Sequence, residues 1–108
     1  MAKPRPVGYL LTERDFQRQV VELARLHGWR VYSIPDSRRS TEKGYPDLTL
    51  WHAKRKEVVF AELKTNKGKL RPEQVTVHAE MQSCGLTVYV WRPEGWDEIE
   101  RVLGPLPN

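Results

Sequence analysis

A chain of 108 residues, 39 % of them hydrophobic, is long enough for a single modest core, so one compact domain over 1–108 is expected. Its one cysteine, Cys84, excludes an internal disulfide and points to a reducing, intracellular, cytoplasmic setting. The net charge of +4 is a mild basic bias that suits a phosphate-bearing partner.

The first ten residues, MAKPRPVGYL, carry charges and prolines, and no apolar run follows them. They are neither a signal peptide nor a membrane span and read as a flexible arm. Thr12 followed by Asp15 resembles a capping box, and Phe16, Val20, Leu23 and Ala24 recur at helical spacing up to Gly28. The spacing predicts a helix over about 13–27. WRVYSI at 29–34 is β-branched and aromatic and reads as a strand. The polar, basic, proline-bounded stretch 35–46 reads as a loop, long enough to be functional. Asp47 then leads LTLWH, a second strand; AKRK at 53–56 is a turn; EVVFAELK at 57–64 is a third strand, hairpin-paired with the second. A basic loop, TNKGKLR, precedes Pro72, which suits the first position of a helix. That helix places Val75, His78, Ala79 and Gln82 on one stripe, with Val77 and Met81 beside it, and Gly85 ends it. LTVYVW at 86–91 is a fourth strand. Trp96, Ile99, Val102 and Leu103 suggest a short closing helix, and 104–108 read as a frayed tail. The expected fold is α/β, with one sheet and helices packed on it.

Between Asp36 and Arg71 lie Arg38, Arg39, Lys43, Lys54, Arg55, Lys56, Lys64, Lys67, Lys69 and Arg71. A solvated set of loops would explain each charge singly; the cluster as a whole suggests phosphate binding. Within it sit acids. Glu62 and Lys64 are two apart on a strand, so they share a face, while Val59, Ala61 and Leu63 take the other. If the second and third strands form a hairpin, the far end of the third returns beside the start of the second, and Asp47 meets Glu62. Two converging carboxylates repel unless a cation lies between them. Hard divalent ions take such oxygens, with the Leu63 backbone carbonyl as a third donor, and Lys64 would then orient an attacking water or neutralise transition-state charge. Pro-Asp as a plain turn and Glu-x-Lys as an exposed pair remain the simpler alternative.

Gly44-Tyr45-Pro46-Asp47-Leu48, Ala61-Glu62-Leu63-Lys64, Gly68-Lys69-Leu70 and Pro72-Glu73-Gln74, in this order, resemble the VRR-NUC domain family of the PD-(D/E)XK nuclease superfamily. The likeness runs from Glu13 to about Trp91. It implies a restriction-endonuclease-like αβββαβ core with a central mixed sheet flanked by helices. It also implies a Mg²⁺-dependent DNA endonuclease, with Mn²⁺ as a substitute, acting on branched DNA such as Holliday junctions as a homodimer. On the matching positions, Asp47 and Glu62 are metal ligands and Lys64 is the catalytic lysine. Glu13 helps hold the metal or its waters, and Gln74 lies near the active site. Glu13 is equally explained as an acid favoured at a helix start, and Glu22 is a weaker competitor. Arg38, Arg39, Lys43, Lys67 and Lys69 are the residues expected to grip DNA backbone. A DNA-binding module without catalysis, or a subunit of a larger restriction or repair complex, would explain the basic loops too, but not the acids among them.

His27, His52 and His78 show no zinc-ligand spacing, and His78 reads as packing. Cys84 reads as a small buried residue. Trp29, Trp51, Trp91 and Trp96 read as core, with base stacking by one of them as the minor alternative.

Overall fold

Thr12 starts the first helix. Its backbone is extended and its Oγ1 accepts the Asp15 N–H at 3.0 Å, satisfying one of the amides that a helix start leaves open. From there α1 runs over Glu13–Leu26 and buries Phe16, Val20, Leu23 and Ala24. It ends at Gly28, whose φ of 91° is left-handed, a conformation that side chains with a Cβ rarely take. The computed structural model describes residues 11–35 and 40–107. The expected arm, Arg38 and Arg39 lie outside the described residues.

Four strands follow: β1 (Arg30–Ser33), β2 (Leu48–His52), β3 (Glu57–Leu63) and, after α2 (Pro72–Ser83), β4 (Val88–Trp91). They form one sheet in the order β1-β2-β3-β4. β1–β2 and β2–β3 are antiparallel and β3–β4 is parallel, so the sheet is mixed, as expected. β1 and β4 are shorter than the runs 29–34 and 86–91 suggested. Trp29 leaves the ladder for the core, donating its Nε1–H to the Leu103 carbonyl at 2.9 Å. Leu86 closes the end of α2 instead, through its N–H to the Met81 carbonyl.

The two faces of the sheet differ. Leu48, Leu50, Val59, Ala61, Leu63 and Trp91 pack with Phe16, Val20 and Leu23 of α1 and with Trp96, Ile99 and Leu103. The last three belong to α3 (Trp96–Leu103), which follows a 3₁₀ turn at Pro93–Gly95. Arg55 ties that helix to the β2–β3 turn, donating to the Val102 and Gly104 carbonyls at 3.1 Å each. Gly104, at the start of the expected tail, is buried.

On the other face lie α2 and the loop before β2. Here the structure corrects the sequence reading of α2. Its buried residues are Gln74 and His78, with Val77 and Met81 half-buried, while Val75, Ala79 and Gln82 face solvent. Two polar side chains do the inward packing, so an apolar stripe could not reveal the face. Cys84, expected to be buried, is exposed, because it caps the helix end on its solvent side.

Candidate active site

The strand register assembles the site. Leu48 pairs with Ala61, so one step further along the antiparallel hairpin Asp47 stands opposite Glu62. Asp47 Oδ2 accepts the Leu63 N–H at 2.8 Å. Leu63 thus meets Asp47 through its amide. Glu13, at the first turn of α1, completes a group of three carboxylates in which one oxygen from each lies within 4.8 Å of the others. Lys64 Nζ is 3.7 Å from Glu62 Oε2.

Glu62 is 2 % exposed and is held from α2. The Gln74 side chain is oriented at both ends: its Oε1 accepts the Arg71 N–H and its Nε2 donates to Glu62 Oε2, each at 2.9 Å. The first contact caps the helix start, and it leaves the amide group of Gln74 no other way to point than toward the carboxylate. Among the described residues the second oxygen, Glu62 Oε1, has no hydrogen-bond partner, nor has His78 Nε2, 3.9 Å away. An orphaned carboxylate oxygen at this depth is expensive, and a hard cation is the partner its chemistry fits.

Two close contacts fix the loops around it. Gly44 packs on α2: a Cβ there would fall on the Glu73 carbonyl and 2.7 Å from a Val77 methyl. Beyond Lys64, Arg92 reaches across to the Thr65 and Gly68 carbonyls at 2.7 and 2.5 Å, bracing the basic loop that follows β3.

The electrostatics follow from crowding three acids into partial burial. Burial first, and then the charge of Asp47, push Glu62 up to about 8, against the pull of Lys64. The Glu13 carboxyl is raised for the same reasons in the same order. Burial holds the His78 imidazole below its usual range, opposed by a backbone hydrogen bond with Gly44. A protonated Glu62 is what such a cluster does in the absence of a cation; ionised, all three would present hard oxygen donors to one divalent ion.

The acids open into a cavity of about 520 Å³ lined by α1, the loop before β2, the end of β3 and the start of α2. Among the described residues its cations are Arg14, Lys43, Lys64 and Arg71. Of the residues expected to grip DNA, Lys43 reaches this rim. Lys67 and Lys69 are exposed on the loop after β3 and are not among the lining residues. Arg38 and Arg39 lie outside the described residues. The basic turn 53–56 is at the opposite end of β2, and there Arg55 bonds Glu57 and the end of α3 rather than facing the cavity. Glu22 is exposed and absent from the group of three. Sequence reasoning missed Arg14 and the contact of His78 with Glu62, and it placed Arg71 only within the general basic cluster. For His78 the only available signal was its spacing of four from Gln74, one helical turn on the same face.

The VRR-NUC domain model matches residues 7–94. No curated protein and no solved structure matches the chain. Among the described residues, no helix is long and apolar enough to cross a membrane.

Proposed function

The chain belongs to the VRR-NUC domain family, of restriction-endonuclease-like fold and nuclease-type function, and from that premise we propose that it is a metal-dependent DNA endonuclease. The observation that carries the reading is the meeting of Glu13, Asp47 and Glu62 with an ammonium beside them. Asp47 and Glu62, with the Leu63 carbonyl, would hold the ion, and Glu13 would help hold it or its waters. The ion is Mg²⁺, which prefers such oxygen donors, and Mn²⁺ substitutes for it. When bound, it supplies Lewis acidity toward the scissile phosphate and the attacking water.

The chain's own groups do the rest. Lys64 orients the water and offsets charge that builds on the phosphate oxygens. Gln74 keeps Glu62 aimed through its side-chain amide, while its own backbone N–H and that of Val75 bond the Arg71 carbonyl. Lys43, Lys67 and Lys69, with Arg38 and Arg39, grip the backbone without reading sequence, so selectivity rests on DNA shape. Branched DNA such as a Holliday junction is the preferred substrate, and a homodimer supplies the two cuts that a symmetric junction needs. A binding module without catalysis accounts less well for the three acids, which weaken phosphate binding unless a cation masks them.

The test is cleavage of plasmid, linear duplex and four-way junction in Mg²⁺ or EDTA, with sedimentation of the junction complex. We expect junction cutting that EDTA abolishes and that Asp47→Ala and Lys64→Ala each lower by about 10²-fold or more. Cleavage unchanged in both variants would place the chemistry elsewhere; salt-sensitive binding without any cleavage would favour the module.

A further inference from the structure

We propose a second DNA contact, a rest for an unpaired base at the edge of the sheet where α1 ends and β1 begins. A shallow cavity of about 440 Å³ lies there, lined by Arg25, Gly28, Trp29, Arg30, Val31 and Trp51. Trp29, Trp91 and Trp96 are buried, but Trp51 is 39 % exposed, contrary to its expected place in the core. The reason is the strand alternation: Leu48 and Leu50 take the core face, so Asp47, Thr49 and Trp51 share the other. Along that face α2 and Tyr45 reach the Asp47 end, while among the described residues Trp51 and Val58 at the other end stay exposed. Trp51 lies in one cross-strand row between Arg30 and Val58.

Charge decides what fits. Among the described residues neither Arg25 nor Arg30 meets a carboxylate, and no acid lines the cavity. A second copy of this chain seated there would cover two guanidinium groups and bring no acid from the same cavity to meet them. A nucleic-acid strand matches both features: its phosphates pair with the arginines, and a base stacks on the indole. Bases inside a duplex have their faces occupied, so the indole selects an unpaired one. Trp51 is four residues along β2 from Asp47, about 14 Å at about 3.4 Å per residue. That is about four base-pair steps from the scissile position. The contact therefore favours substrates with an unpaired segment close to the cut.

The inference rests on DNA being the substrate, and the test separates the two. The full chain is titrated in EDTA with a fluorescent blunt duplex and with the same duplex carrying a short single-stranded flap, of either polarity, and its mass is followed by sedimentation. Duplex cleavage in Mg²⁺ is measured alongside. We expect Trp51→Ala to weaken flap binding by about tenfold while duplex binding and duplex cleavage hold. Trp51→Phe, which keeps an aromatic face, should retain most of the flap affinity. Arg30→Gln should weaken both probes and lower the salt slope by about one. Equal affinities of Trp51→Ala and the unmodified chain for the flap would overturn the proposal, as would an equal loss on both probes. A change of mass in Trp51→Ala would overturn it too, by assigning the face to a second copy. A chain that binds and cuts no DNA would remove the nuclease reading as well; one that cuts duplex but shows no flap effect removes this contact alone.

Discussion

Glu62 carries two oxygens with different surroundings, one bonded to Gln74 and one without a partner. Its carboxyl ionises near pH 8 in the folded, cation-free chain, against an ordinary value of 4.5. Between those values the folded state holds a proton that the unfolded state has released. The stabilisation is fully present below about pH 4.5 and is lost as pH rises through about 8. Scanning calorimetry of the EDTA-treated chain should therefore show Tm falling between about pH 5 and 8. Glu62→Gln, uncharged throughout, should be flatter over the same window, and parallel curves would contradict the assignment. Residues 47, 62 and 64 were legible because strand alternation and hairpin return constrain them tightly. His78 was not, because its contact depends on how α2 rotates over the sheet, and that rotation is set by Gln74 and Gly44 rather than by apolar periodicity.

At the scale of elements, the loop before β2 and the first turn of α2 are locked where Gly44 meets Glu73. The lock matters more to the site than to the core, which lies on the other face of the sheet. Gly44→Ala forces the Glu73 carbonyl and the Val77 methyl apart from the loop, at about 1–3 kcal/mol. It should also lower cleavage beyond what the loss of stability explains, since Gln74 and Asp47 sit on the two parts that separate. Urea unfolding and cleavage rates on the same sample distinguish this from a purely structural effect; equal, small changes in both would contradict it. The element order was readable because α1 and α2 each have a stop that needs no tertiary context, Gly28 and Gly85, both with φ of 91°. The strand ends were less readable, because Trp29 and Leu86 could serve the ladder or the neighbouring helix, and packing chose the helix.

At the scale of the whole molecule, the basic run that the sequence presents as one cluster separates in space. Arg14, Lys43 and Arg71 border the acidic cavity, whereas the turn 53–56 lies at the far end of β2 and Arg55 there stacks 4.9 Å from the Trp29 ring centre. Chain proximity could not tell these apart, since a five-residue strand carries the two groups to opposite ends. Lys43→Gln or Arg71→Gln should lower the salt slope of DNA binding by about one each, and Lys54→Gln should leave it unchanged. Equal slopes for all three, measured by anisotropy across a salt series, would mean that the whole basic surface is used indiscriminately. The central claim is narrower: three carboxylates from α1, the β2 entry and β3 converge to hold one divalent ion. Calorimetric titration with Mn²⁺ at about pH 8, where Glu62 gives up its proton, addresses it without recourse to DNA. About one ion per chain should be bound by the unmodified protein and lost in Asp47→Ala and Glu62→Gln. Binding that survives both substitutions, or no binding by the unmodified chain, would contradict it.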